Sequence, residues 1–552
     1  MLSPQASHLN LARLTHSVAE RISARSGWGA CLAIVAVWFG MTAWLRPLAI
    51  PDEGRYVGVA WEMLRGGDWL VPTLDGAPFF HKPPLFYWIT AGSMELFGPG
   101  VWAARAAAWI AAVASATGLF VFVRRWVGVD QAWLSVAVLA TLPIFYGGAQ
   151  YANADMLVAA CITTSILLGA HAALARERGL AHRRALALAF AAAACGVLAK
   201  GLIGAVLPVL VLLCWSVATR RAGKVLALSL WAPGWLLFMA IAAPWFIAMQ
   251  QRHPDFLHYF FVVQHFQRFA SVEFNNPQPV WFYLAVIVAT TLPWSPWLLE
   301  LARRRYWMRN EDADLRALMF VWLVVVTAFF SLPNSKLIGY ILPAIPPWAF
   351  VIADAVRSAC SRRTDHPKRT SRVPIDTLRR ATTGLAAIAC MGIVIAAHYF
   401  QPKSEQALAE RLQALRRPAE PVVFLGHYYY DVAFYSRLDV PPIVVDAWRA
   451  DEVAKDSWRR ELTDSARFAP PGSARRLLRP GELGAALCGA PGVWFIGPWP
   501  AAQLPSLLAV QAPAYQNDAT ALWHIVPSAP SVRAALNCAQ AAALPARLTP
   551  QP

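Results

Sequence analysis

Long apolar stretches alternate with short polar ones along the first 400 residues. Apolar runs fall at roughly 28–47, 101–123, 131–148, 155–175, 184–200, 202–219, 226–249, 280–300, 316–332, 337–356 and 380–398. Each approaches the ~20 residues a helix needs to cross ~30 Å of hydrocarbon. The pattern predicts about eleven spans, with room for one or two more in the closely spaced pairs.

The connections differ in charge. Arg13, Arg21 and Arg25 precede the first run, and Arg124 and Arg125 follow the second. Arg176, Arg178, Arg183 and Arg184 separate the fourth and fifth, and Arg220, Arg221 and Lys224 follow the sixth. Arg303, Arg304, Arg305 and Arg309 follow the eighth, and 357–380 is the most basic stretch of all. Every second connection is thus Arg-rich, which places those connections and the N-terminus in the cytoplasm. Residues 1–27 read as a cytoplasmic N-terminus with an amphipathic segment, and the first run as an uncleaved helix rather than a signal peptide.

The intervening connections collect a different set of side chains. Asp52, Glu53, Arg55, Tyr56, His81, Lys82, Asp155, Lys200, His265, Arg268 and Lys336 all lie at or beside them. The longest, 48–100, has apolar residues at 57, 60, 61 and 64, a helical spacing closed by Gly66-Gly67. That helix is expected to lie flat on the membrane, with Trp61 and Trp69 at the interface. Pro83-Pro84 stops any helix begun at Phe79 and holds Lys82 near the surface.

After residue 400 the pattern shortens. Val422–Gly426, Pro442–Asp446, Gly492–Gly497 and Leu522–Val526 read as buried strands, with a helix over Glu405–Leu415. The expected fold is therefore a polytopic α-helical membrane protein with a C-terminal soluble α/β domain, 28–400 spanning and 401–552 outside. The tail from Pro527 reads as loosely held.

Composition agrees. Of 552 residues 57% are hydrophobic and 15% charged, against about a quarter charged in soluble proteins. The net charge of +17 suits cytoplasmic loops and lipid headgroups, and no basic run interleaved with aromatics suggests nucleic acid. The eight cysteines lack metal spacing. Cys488 and Cys538 could pair if the C-terminal region is extracytoplasmic.

Ionised groups beside hydrocarbon suggest a site. Arg55, Lys82 and Arg268 offer cations to a phosphate arriving from the bilayer, and Asp52 would face the reacting centre. Arg55 could instead bridge to Asp52 or Glu53. His81 and His265 share a face with Asp52, Glu53 and Asp155, so zinc, magnesium or manganese could bind there. No glycine-rich nucleotide loop and no G-x-S-x-G elbow is present.

Several motifs form an ordered set. Asp52-Glu53-Gly54-Arg55-Tyr56, Glu62-Met63, Gly67-Asp68-Trp69, Phe80-His81-Lys82-Pro83-Pro84-Leu85, Lys200-Gly201, His265-Phe266-Gln267-Arg268-Phe269, Leu292-Pro293-Trp294, Ser335-Lys336 and Tyr340-Ile341-Leu342-Pro343 follow one another through the spanning region. As a set they resemble the aminoarabinose transferases of lipid A modification, within the protein O-mannosyltransferase-like, lipid-donor glycosyltransferases of the GT-C fold. The resemblance implies some thirteen spans. It implies an inverting transferase at the periplasmic face of a bacterial inner membrane; a monomer is expected. The enzyme would move 4-amino-4-deoxy-L-arabinose from undecaprenyl phosphate to a lipid A phosphate and so confer resistance to polymyxin and other cationic peptides. By motif position Asp52 matches the essential acidic residue. Arg55, Tyr56, Lys82, Arg268 and Tyr340 match positions around the donor phosphate, and Glu53, Asp155 and Lys200 further polar positions. The family often carries Glu where this chain has His81. The same scaffold could serve another sugar or a protein acceptor, or act as a flippase for a polyprenyl-linked sugar.

Overall fold

The structure is a computed structural model that describes residues 27–267, 277–309, 311–365, 374–400, 404–469, 476–499, 508 and 511–541. Six described helices are long and apolar enough to cross a membrane: Ala106–Trp126, Ala154–Glu177, Ala232–Arg252, Ala313–Ser331, Ile338–Ser361 and Ile375–Phe400. Two bent pairs, Val129–Ala140 with Pro143–Ala149 and Phe282–Thr290 with Ser295–Ala302, bring the number to eight if each is one span. Their bends are 72° and 116°. Pro143 and Pro293 stand at the breaks, where a residue without an N–H interrupts the helical ladder. The shorter apolar helices Gly27–Gly40 and Ile203–Ala218, and the 18-residue Arg183–Lys200, account for the remaining runs. The chain is a multi-pass membrane protein. Fewer of its helices are full-length than the sequence suggested, because proline breaks some runs and others are short.

By internal packing the chain forms two compact units. One comprises Met1–Leu45, Ala107–Ala243 and Gln278–Ala397, and the other Arg46–Ala106, Pro244–Pro277 and His398–Pro552. In the first, close approach of backbone is a recurring device. A Cβ on Gly204 would lie 2.1 Å from the Gly196 carbonyl carbon, so the helices before and after Lys200 pack through bare glycine backbone.

The second unit holds the strands: β1 (Thr73–Leu74), β2 (Ala77–Pro78), β3 (Val422–Leu425), β4 (Ile443–Val445), β5 (Leu477–Leu478), β6 (Val493–Pro498), β7 (Tyr515–Gln516) and β8 (Thr520–Ile525). β1 and β2 form a small antiparallel hairpin, and the other six a sheet in the order β5-β4-β3-β6-β8-β7. β5, β4, β3 and β6 run parallel, while β8 is antiparallel to both β6 and β7. The four strand runs read from the sequence are β3, β4, β6 and β8. The parallel ones are continuous apolar runs because both faces are covered. Beneath them Val423, Phe495, Trp523 and Leu487 form a core that includes Cys538, disulfide-bonded to Cys488. The chain beyond Pro527 is thus held more firmly than expected. Val532 and Leu536 of the Pro530–Ala535 helix and its flank join that core, as far as Ala541.

The first connection packs with this sheet domain. Its helix, Asp52–Gly66, ends as predicted, with Gly67 left-handed at φ 70° and its N–H donating to the Met63 carbonyl. It does not lie bare at an interface on the Trp61 side. Trp61 is 4% exposed, donates from Nε1 to the Leu438 carbonyl at 2.9 Å and meets Phe434 edge-on. Apolar spacing alone could not tell a membrane surface from a protein one.

Candidate active site

Two ionic clusters are built from the residues singled out in the sequence, one in each unit. In the sheet-containing unit, Asp52 opens the Asp52–Gly66 helix and Arg55 follows one turn later, so their side chains meet. Arg55 Nη2 donates to Asp52 and Arg55 Nη1 to Glu461. Tyr430 Oη donates to the other Glu461 oxygen at 2.5 Å. Burial disfavours the guanidinium charge, but Glu461, Tyr430 and Asp52 more than offset it and hold Arg55 protonated well above its ordinary value. Gly54 makes the approach possible. A Cβ there would fall 2.6 Å from Ile50 Cδ1 and 2.9 Å from Tyr430 Cβ. Tyr56 packs edge-on to Phe86 at 5.4 Å and stacks near Tyr87 at 6.1 Å, with the Arg55 guanidinium 5.9 Å from its ring. The cluster is open to solvent: the Asp52 side chain is 37% exposed.

In the other unit, Asp155 sits in the first turn of Ala154–Glu177, where Asn153 caps the helix by accepting from the Asp155 N–H at 2.9 Å. Lys200, at the end of Arg183–Lys200, donates to Asp155 and stands 4.2 Å over the Tyr340 ring. A Cβ on Gly339 would lie 2.3 Å from Asp155 Oδ2, so only glycine lets the Tyr340 segment close on the carboxylate. Lys336 is 3% exposed and donates to the Gln278 carbonyl at 2.8 Å.

The comparisons with known proteins bear on both clusters. The family model for dolichyl-phosphate-mannose-protein mannosyltransferases matches residues 46–260, a stretch that contains Asp52, Arg55, Lys82, Asp155 and Lys200. An undecaprenyl phosphate-alpha-4-amino-4-deoxy-L-arabinose arabinosyl transferase of Shewanella sediminis is 31% identical over 340 residues, 60% of this chain and 61% of that one. The transferase of the same name from Aeromonas hydrophila is 35% identical over 311 residues, 56% of each chain. The chain thus spans about 56–61% of the length of these curated relatives. The crystal structure of ArnT from Cupriavidus metallidurans bound to undecaprenyl phosphate superposes with a TM-score of 0.73 at 22% identity, over 91% of this chain and 99% of that one. The fold is that of the GT-C glycosyltransferases. The resemblance drawn from the sequence motifs, to ArnT-like transferases, is supported by all three comparisons.

Against this GT-C frame the sequence candidates separate. Asp52, Arg55 and Tyr56 are brought together in one unit, and Asp155, Lys200 and Tyr340 in the other. Lys82 is half-buried in the turn between β2 and the Leu85–Phe97 helix. Arg268 lies outside the described residues, as does the side chain of His265.

Glu53 is a correction. It is 0% exposed, and Arg105 Nε and Nη2 each donate to it at 2.9 Å, with Arg46 and the Ala49 N–H as further donors. Burial pushes its carboxyl up, but the Arg105 and Arg46 charges overcome that and hold it down to about 2. It is a buried structural hub rather than a cavity residue. Among the described residues no three His, Cys, Asp or Glu side chains group together, and the metal set read from the sequence includes His265, whose side chain lies outside them. His81 lies against Phe79, with ring centroids 4.3 Å apart, and near Tyr259. Glu62, part of the recognised motif, accepts from the Asp75 and Gly76 N–H groups and so shapes the β1–β2 turn.

Glu461, Tyr430, Arg46 and Arg105 were not found from the sequence. A lone Arg105 inside an apolar run was a signal for the buried cluster, since such a charge must be paired. The helix Trp458–Ala466 carries nothing that marks Glu461 among its polar neighbours.

Proposed function

We propose that the chain is an inverting, lipid-donor glycosyltransferase of the bacterial inner membrane. It moves 4-amino-4-deoxy-L-arabinose from undecaprenyl phosphate to a lipid A phosphate. The observation that carries this reading is the name shared by curated relatives at 31% and 35% identity. The alternation of Arg-rich connections supports a cytoplasmic N-terminus, with the Asp52 and Lys200 clusters facing the periplasm.

The chemistry suits the charges. In the open cluster two carboxylates, Asp52 and Glu461, share one guanidinium, Arg55, leaving one negative charge in excess. That excess matches the ammonium of an amino sugar. Arg55 spends one N–H on each carboxylate, and its remaining donors can take a phosphate oxygen. With Lys82 it would stabilise the charge that builds on the departing lipid phosphate. A phosphate acceptor is already ionised at neutral pH, so Asp52 acts by orienting the acceptor or the sugar amine rather than by removing a proton.

Mass spectrometry of lipid A from cells with and without the gene tests the reading. An aminopentose increment that requires the gene is expected. Unchanged lipid A, or a hexose increment, contradicts it. The mannosyltransferase family match favours one second reading, a polyprenyl-linked hexose passed to protein, which would appear as glycosylated protein beside unmodified lipid A.

A further inference from the structure

The helices that carry Asp155 and Lys200 have far ends that the transfer reaction does not use. Arg183–Lys200 has 18 residues and is therefore roughly 27 Å long at 1.5 Å per residue, close to the ~30 Å of a hydrocarbon core. At its Arg183 end a cavity of about 1300 Å³ opens between this helix, Ala106–Trp126 and Ala154–Glu177. Small-molecule sites usually measure roughly 300–1,000 Å³, so the space admits more than a headgroup. Its wall is apolar, with Phe122, Leu167 and Leu188 prominent. Its mouth carries Arg125, Arg183 and Arg184, all exposed, and among the described residues no Asp or Glu lines it. The nearby carboxylate that could have neutralised the mouth, Glu177, is held by Arg221 and Lys224.

An apolar trough with a basic rim that no described carboxylate lines, one membrane thickness from the Asp155–Lys200 cluster, has a definite complement. We infer that it holds one anionic phospholipid of the Arg-rich leaflet. The phosphate sits among Arg125, Arg183 and Arg184, and the acyl chains lie along Phe122, Leu167 and Leu188. Basic pockets between spanning helices bind such headgroups. A zwitterionic lipid brings its own cation to the rim and gains less. The site depends on the membrane placement of these helices and not on the identity of the sugar transferred.

The test uses the full chain purified in detergent, offered phosphatidylglycerol or phosphatidylcholine, with bound lipid counted by native mass spectrometry. Preferential retention of phosphatidylglycerol is expected. Replacing Arg125, Arg183 and Arg184 together by Gln should cut that retention by at least about tenfold, whereas Arg304→Gln, in another basic connection, should leave it unchanged. Equal retention of both lipids, or full retention by the triple variant, overturns the proposal. A photo-reactive benzoylphenylalanine at Leu188 decides the matter independently if the triple variant does not fold. Cross-linking to phospholipid supports the site. Cross-linking to residues 1–26 of the same chain, to a second copy, or to no lipid at all overturns it.

Discussion

Asp52 and Glu53 are neighbours in sequence, yet they anchor opposite kinds of charge cluster. Successive helical residues point about 100° apart, so the two carboxylates leave the first turn on different sides. Glu53 goes inward, where one carboxylate meets two guanidiniums, and Arg105 is itself bonded to the Arg46 and Pro47 carbonyls at 3.0 and 2.9 Å. Asp52 goes outward, where two carboxylates meet one guanidinium. The first cluster is sealed from water, and its charges are spent on each other and on the backbone. The second remains open and keeps a surplus. Burial and closure, not residue type, separate the structural ion cluster from the one proposed to serve transfer.

The contrast is sharpest when each cluster loses a carboxylate. Glu53→Gln leaves two buried guanidiniums without their counter-charge, and breaking such a cluster costs about 3–5 kcal/mol. Thermal unfolding should show a large loss of stability, and transfer should fail with it. A Glu53→Gln protein as stable as the parent would show that the inner cluster is not structural. Acid should act on the same group. The Glu53 carboxyl is held at about 2 in the folded chain, below the ~4.3 of an unfolded Glu. Its contribution is present above that unfolded value and disappears as pH falls toward 2.

Glu461→Gln removes the second carboxylate of the open cluster. The fold should persist, while kcat falls roughly 10- to 100-fold through misplacement of Arg55 and KM for the lipid donor changes little. A melt like that of Glu53→Gln would move Glu461 into the structural class.

Asp431 gives a third and smaller contrast. It is as buried as Glu53, at 1% exposed, but its partners are the Ser404 hydroxyl at 2.8 Å and the Glu405 N–H at 3.0 Å. Burial raises it to about 7, the donors offsetting only part of the cost. An unfolded Asp titrates near ~3.9. Between those values the folded state holds the extra proton, so stability falls as pH rises from about 4 to about 7. Asp431→Asn keeps an acceptor and removes the titration. The variant should lie closest to the parent at about pH 4 and melt higher than it at pH 8. An unchanged difference between the two pH values would contradict the assignment.

Much of this architecture was legible in the sequence, for physical reasons. Apolar runs must become helices in hydrocarbon because backbone groups have no other partners there, so every run has its helix or bent pair. The four main strands showed as short apolar runs bounded by turns, whereas Leu477–Leu478 and Tyr515–Gln516 are too short to carry a period. Helix Asp52–Gly66 was visible, but its partner was not: the Trp61 face packs on Phe434 and Leu438, some 377 residues away along the chain. A separation of 406 residues likewise hid Glu461 from Arg55. Local pattern specifies which side chains share a face, and long-range packing decides which of them are buried. That is why Asp52 and Arg55 were legible as candidates, while the burial of Glu53, grouped with them as a further polar position, was not.

On the proposed function, Asp52 serves sugar transfer and not the fold. Purified parent and Asp52→Asn proteins, supplied with undecaprenyl phosphate-linked aminoarabinose and lipid A, are compared by mass spectrometry of the product, with melting temperatures measured on the same samples. Aminopentose-modified lipid A is expected from the parent, and none from a variant that melts like it. Parental yield from Asp52→Asn would contradict that role.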